Sequence, residues 1–393
     1  MATIGVIGGG QLCRMTGAEI RRKALPHRLV ALDPTPDCPA APFLDRQILG
    51  DFKDPAKILE LADASDVVTF EIELAGSATL ERIEKAGKPV HPSSQTLAII
   101  QDKLAQKTFL RGRGLPVPDF RAVEGKADVL AAAKDWGWPL MLKARRDAYD
   151  GRGNRRLAGE GDVDAALDAF RGRELMVERW VDFGEGHGFS GEVSVIAARS
   201  TSGEVKTYPV GENFHVDSIL DMTIVPARIA PERARRAEEL AAETLRALAG
   251  AGVFGIEMFV DRRGEVLINE IAPRVHNSGH YTIEACRTSQ FEQHVRAITG
   301  LPLGETTLLY AAVMVNLLGA TGKSGPYRWD GLAAVRSMPG VAFHDYGKKE
   351  AQPRRKIGHL TATGSPGHLE FLIQRARQAR DFLKQVQTAN RTG

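Results

Sequence analysis

Three cysteines in 393 residues are too few and too scattered for a disulfide framework or a zinc site. Cys13, Cys38 and Cys286 read as free thiols, and a cytoplasmic location is expected. Strong charge of one sign is also lacking. The formal net charge of +3 excludes nucleic acid and membrane as expected partners, while permitting local basic patches for phosphates. The longest apolar run, Leu308–Leu318, contains Asn316 and is too short to span a bilayer. No basic stretch precedes Ile4–Ile7, which reads as a buried strand rather than a signal peptide. Internal repeats and low-complexity segments are missing too. What remains is an ordinary globular composition in a chain long enough for two or three domains.

The chain opens with an α/β rhythm. Thr3–Ile7, Leu29–Leu32 and Val67–Phe70 read as strands, and Gln11–Ala24 has helical spacing. Strands separated by helices imply a parallel sheet, here over residues 1–102. Residues 103–304 carry short strand candidates at Pro139–Lys143, Leu175–Glu178, Val193–Ala197, Gly255–Val260 and Glu265–Glu270. A helix over Glu232–Ala249 is marked by Pro231 at its start, an acid in its first turn, and Gly250 and Gly252 at its end. Residues 305–393 form a smaller, β-rich region in which Glu370–Val386 reads as a charged terminal helix.

Gly8-Gly9-Gly10-Gln11 joins a strand to a helix and offers backbone N–H groups to an anion. It departs from a dinucleotide fingerprint at Cys13, where a third glycine is usual. Asp33 would suit a ribose hydroxyl if the site held NAD. The alternatives are a phosphate or substrate edge and a plain tight turn.

The strongest chemical signal is an apolar hairpin bearing two acids, Gly255–Val260 and Glu265–Glu270 around the turn Asp261–Gly264. If Val260 pairs with Glu265, Glu257 faces Ile268. Glu270 then lies diagonally across on the same face, about 7–8 Å away. Two such acids are costly to bury unpaired, and Mg²⁺ with nucleotide phosphates resolves that cost.

Upstream, Trp138–Lys143 reads as a strand ending in a lysine that can neutralise phosphates. Tyr149-Asp150-Gly151-Arg152-Gly153 follows, as a loop able to cover phosphates or as a common hairpin turn. Val177–Val181 is a connector whose backbone could read an adenine edge. Glu178 alone also suits a surface acid. Glu192 could hold ribose hydroxyls, and His215 could donate to a phosphate.

In this order, Lys103, Lys143, the 149–153 loop, Glu178–Val181, Glu192, Glu257 and Glu270 resemble the ATP-grasp superfamily. Asn269–Thr282, continuing to His294, resembles the N5-carboxyaminoimidazole ribonucleotide synthetases of purine biosynthesis. So do Gly8–Leu12, Thr69–Glu73 and Arg355–Leu360. The resemblance implies an α/β and α+β multidomain fold: a parallel α/β domain, a central ATP-grasp domain with a small lid half in 103–182, and a small C-terminal β-rich domain. It implies ATP held by Lys103, Lys143, Gly151, Gly153, Glu178, Trp180, Val181, Glu192, His215, Asn269 and Glu270. Glu257 and Glu270 would hold Mg²⁺, with Mn²⁺ as a substitute. Aminoimidazole ribonucleotide would meet Gln11, Glu73, Tyr149, Asp150, Arg274, His276 and Asn277, with Lys348 and Arg355 on its phosphate. A homodimer is also implied. Three features depart from the pattern: Cys13, an insertion at Gly184–Phe189 that makes Glu185 a rival to Glu192, and Ala272 where many relatives carry a metal-binding asparagine.

The mechanism expected is attack of bicarbonate on the γ-phosphorus of ATP, giving carboxyphosphate, then carboxylation of the ribonucleotide amine. Lys143 would stabilise the transferring group, Arg274 would hold bicarbonate, and Asp150 or His276 would take the amine proton. The competing readings are a formate-dependent transformylase, another ATP-grasp carboxylase, a nucleotide-sensing binding protein and an NAD oxidoreductase.

Overall fold

The computed structural model describes residues 1–147, 153–183, 189–320, 322 and 324–388. The first sheet is all parallel, in the order β3-β2-β1-β4, from β1 (Ala2–Ile7), β2 (His27–Asp33), β3 (Arg46–Leu49) and β4 (Val67–Phe70). Its inner strands β1, β2 and β4 are largely buried, as parallel strands covered on both faces must be, while the edge strand β3 buries only Ile48. A second, antiparallel sheet has the order β5-β8-β6-β7, from β5 (Phe120–Val123), β6 (Leu140–Ala144), β7 (Asn154–Leu157) and β8 (Leu175–Arg179).

The third sheet holds nine strands among the described residues. Its path is β14-β13-β9-β11-β12-β15-β19-β17, with β10 on the side of β9. The members are β9 (Glu192–Arg199), β10 (Val205–Thr207), β11 (Gly211–Val216), β12 (Ile219–Val225), β13 (Gly252–Val260), β14 (Val266–Ala272), β15 (Ala311–Leu318), β17 (Val341–Asp345) and β19 (Lys356–Gly364). The apolar run expected around 308–318 is thus β15, which carries the sheet across residues 304 and 305. A small sheet of β18 (Glu350–Ala351), β16 (Gly325–Asp330) and β20 (Lys384–Gln387) completes the C-terminal region. The expected terminal helix stops at Phe382, because the residues after Leu383 pair with β16 instead.

The helix Pro231–Ala247 covers the large sheet, with Leu240 and Leu245 packed against Phe254, Ile256 and Ile268. Burial of each such side chain contributes roughly 1.5–3 kcal/mol. The first sheet docks through His294. Its Nδ1 accepts from the Val253 amide at 3.1 Å, and its Nε2 bonds Thr69 Oγ1 at 3.0 Å. Burial pushes its pKa down to about 4, so the bridge is neutral. No described helix is long and apolar enough to cross a membrane.

Candidate active site

The acidic hairpin differs from expectation in two single-residue steps. Asp261 Oδ1 accepts from the amides of Arg263 and Glu265, which lengthens the turn and pairs Val260 with Val266. A bulge then slips the register between Met258↔Ile268 and Glu257↔Glu270, leaving Asn269 as the extra residue. The two acids are direct cross-strand partners, not diagonal ones. A bulge re-aims side chains, and both residues at this one reach the same lysine pair: Lys103 Nζ meets Glu270 Oε1 at 2.5 Å, and Lys143 Nζ donates to Asn269 Oδ1 at 3.2 Å.

Local sequence explains where those lysines sit. Asp102 caps the helix Lys103–Gly112 by accepting from Leu104 N, and it also binds Arg145 at 2.5 Å. This fixes Lys103 at the first helical position, one turn before Lys107. Lys143 lies on β6, paired with Met176 of β8. Glu178, on β8, is only 2% exposed and is not a surface acid. Its carboxylate lies 2.7 Å from Lys143 Nζ and 3.3 Å from Lys107 Nζ. Burial opposes its ionisation, but the two ammonium groups outweigh burial and hold its pKa at about 2. Lys107 also donates to the Ile268 carbonyl at 3.1 Å. Desolvation brings its pKa down to about 8. Lys107 was missed in the sequence, although its four-residue spacing from Lys103 puts both on one helix face.

Burial raises the pKa of Glu257, and Glu270 and Glu192 reinforce it. Burial also opposes ionisation of Glu270, but Lys103 more than compensates and its pKa falls. The two side chains keep 29% and 43% exposure, so solutes reach them. Glu192 binds His215 Nδ1 and raises its pKa against the effect of burial, leaving Nε2 for a ligand. Trp180 lies under the Arg156 guanidinium, 5.1 Å from its ring centre. Val181 is half-buried beside it.

Gly255 permits His276 to lie on β13, since a Cβ there would fall 2.5 Å from that of His276. His276 Nδ1 accepts from Ser278, and its Nε2 sits 3.4 Å from Glu257. Burial drives its pKa well below the ordinary value. His276 is thus held between Ser278 and Glu257. Arg274 Nε binds Glu73 at 2.9 Å, joining the first sheet's loop to the large sheet. Asn277 pairs with Asn316.

The glycine turn is not an anion site. Asp33 accepts from Gly9 N at 2.9 Å, while Glu71 accepts from Gly10 N and from Cys13 N at 2.7 Å. The protein's own carboxylates fill the helix N-terminus, and a Cβ on Gly10 would come within 2.6 Å of Glu71. Asp33 is likewise engaged, which removes the NAD reading. Gln11 begins that helix.

The basic run divides. Lys349 binds Pro36 O and Asp37, and Arg354 binds Asp217. Lys348 donates to the Lys356 carbonyl, and Arg355 is exposed. Lys356, not singled out in the sequence, acts electrostatically on both His215 and His276. Gly153 is buried, whereas Tyr149, Asp150, Gly151 and Glu185 lie outside the described residues.

Three family models match in succession: the ribonucleotide synthetase preATP-grasp domain over 1–101, the ATP-grasp domain over 108–291, and the phosphoribosylaminoimidazole carboxylase C-terminal domain over 312–368. N5-carboxyaminoimidazole ribonucleotide synthase of Brucella melitensis is 41% identical, over 92% of this chain and 96% of its own. The chain belongs to the N5-carboxyaminoimidazole ribonucleotide synthetases. The synthetase of Thermotoga maritima superposes with a TM-score of 0.88 at 42% identity, over 99% of this chain and 100% of that one. The Aspergillus clavatus synthase, solved with ADP and 5-aminoimidazole ribonucleotide, gives 0.85 at 34% identity, over 97% and 98%. This is an ATP-grasp ligase family of purine biosynthesis, and forming N5-carboxyaminoimidazole ribonucleotide with ATP is the activity of this chain.

Proposed function

We propose that the reaction runs through carboxyphosphate, with bicarbonate as the carbon source. The observation that carries this reading is the convergence of Lys103, Lys143, Asn269, Glu257 and Glu270 at one bulged hairpin. Bicarbonate oxygen attacks the γ-phosphorus of ATP and ADP leaves. The exocyclic amine of aminoimidazole ribonucleotide then forms a C–N bond with the carboxyl carbon, phosphate departs, and the amine gives up a proton.

Glu257 and Glu270 are hard oxygen donors, side by side and reachable by solutes, which fits Mg²⁺ or Mn²⁺ held together with phosphates. When bound, the ion supplies electrostatic stabilisation of the transferring phosphoryl group. Lys103 and Lys143 hold the nucleotide's phosphates, with Gly151 and Gly153 in the covering loop. The backbone of Glu178–Val181 and the Trp180 ring frame adenine. Glu192 holds ribose and orients His215, whose Nε2 donates to phosphate. Arg274, steadied by Glu73, binds bicarbonate through its remaining N–H groups. Asp150 takes the amine proton, because His276 is committed to Glu257 and Ser278. Gln11, Tyr149, His276 and Asn277 line the ribonucleotide pocket, and Lys348 and Arg355 meet its phosphate.

Residues 1–102, 103–304 and 305–393 are the working units of this proposal. A homodimer follows from the family resemblance, and three buried, unpaired cysteines suit a cytoplasmic, reducing compartment. The test is ADP release with and without aminoimidazole ribonucleotide and bicarbonate. Release should require both and should not occur when formate replaces bicarbonate; release supported by formate overturns the reading.

A further inference from the structure

The proposed mechanism assigns no task to Gln106 and Lys107, two neighbouring residues of the helix Lys103–Gly112 that are each 2% exposed. Both reach the backbone of β14, which ends the path of the large sheet as its edge strand. Gln106 Oε1 accepts from the Ile271 amide at 3.1 Å. Lys107 Nζ donates to the Ile268 carbonyl at 3.1 Å. The Ile268 amide donates to the carbonyl of Pro116, just after the same helix, at 2.8 Å.

In a regular antiparallel strand the backbone groups facing one side recur at every second residue. Ile268 and Ile271 are three apart, yet both turn their amides away from β13 toward the helix side. The extra step is the bulge: Ile268 pairs with Met258 and Ile271 with Ile256, only two residues apart on β13. The helix therefore holds β14 on both sides of the bulge, with Asn269 and Glu270 between the two holds. If the bulge closed, β14 would slip by one residue past Gln106 or Lys107, and a buried polar group would lose its partner. Lys107 also lies 3.3 Å from Glu178 Oε1, so one ammonium group joins β8 to β14.

We propose that Gln106 and Lys107 are positioning residues that lock the Asn269 bulge from the open edge of β14, and so hold Glu270 opposite Glu257 for the divalent cation. The inference rests on the reading of Glu257 and Glu270 as metal-binding residues. Its test is the Mn²⁺ affinity of the ADP complex, followed by electron paramagnetic resonance, beside the ADP affinity without metal, followed by calorimetry. Gln106→Met keeps the length of the side chain and removes the oxygen on Ile271. It should weaken Mn²⁺ binding about tenfold or more while metal-free ADP affinity stays within about twofold, as expected for a group that orients a metal ligand. Lys107→Met should weaken both, because it also takes a partner from Glu178. Unchanged Mn²⁺ affinity in either variant, or an equal loss of Mn²⁺ and metal-free ADP affinity in Gln106→Met, overturns the proposal. Gln106→Asn, one methylene shorter, withdraws the same oxygen and decides the question if Gln106→Met does not fold. Glu270→Gln separates the two readings. If it too leaves Mn²⁺ affinity unchanged, the metal assignment fails and the proposal falls with it. If it abolishes Mn²⁺ binding while the Gln106 variants bind Mn²⁺ like the parent, the lock alone is wrong.

Discussion

Glu257 and Glu270 face each other directly across β13 and β14, because one extra residue, Asn269, is accommodated between the pairs on either side. Two carboxylates in direct cross-strand opposition repel each other. The arrangement persists because Lys103 sits on Glu270 and His276 Nε2 faces Glu257. The proposed Mg²⁺ would relieve the repulsion that remains.

Replacing Glu270 by Gln keeps the shape and removes the charge. Turnover should fall at least about 100-fold, in line with losses at metal-binding positions. The far-UV circular dichroism should match the parent. Near-normal turnover at saturating Mg²⁺ would remove Glu270 from the metal site.

Glu178→Gln leaves two buried ammonium groups without their counter-ion. The expected loss is about 3–5 kcal/mol of stability, seen as a lower urea midpoint, together with weaker ATP binding. The sign with pH follows from a depressed carboxyl. Its contribution is fully present above the ordinary value of 4.5 and is lost as pH falls toward about 2. The gap between parent and variant should therefore narrow between pH 4.5 and 2. A gap that stays constant across that window would show that the pair does not act this way.

Arg355 is exposed, and Lys349 is tied to Pro36 and Asp37. Arg355→Ala should raise the ribonucleotide KM about tenfold or more, as expected for losing a charged hydrogen bond, with the ATP KM little changed. Lys349→Ala should alter neither. Equal behaviour of the two variants would return the whole run to solvent.

Glu71 caps the first helix from another strand's end. Glu71→Ala should cost about 0.5–2 kcal/mol, measured as a lower melting temperature. Added phosphate should not restore it if the turn is a structural one. Recovery at millimolar phosphate would revive the anion-site reading.

The long elements were legible where local signals agreed. Pro231, Glu232 and the apolar stripe of Pro231–Ala247 reinforce one another over 17 residues. The slip at Asn269 had no such signal, since an inserted residue changes neither composition nor alternation enough to read. Glu178 looked like a surface acid because its two partners lie 71 and 35 residues earlier in the chain. The expected helix through Val386 failed for the same reason: Tyr327↔Gln387 pairing is a long-range fact.

By itself the sequence determined the α/β opening, the acidic hairpin, the long helix and the family that the chain resembles. These depend on short-range periodicity and on spacing along the chain. Tertiary structure alone decided that Glu71 fills the glycine turn, that His276 serves Glu257, and that Lys107 and Lys143 share Glu178. Each of those outcomes is a competition for hydrogen bonds and charge among groups far apart in sequence, and only packing brings the competitors together.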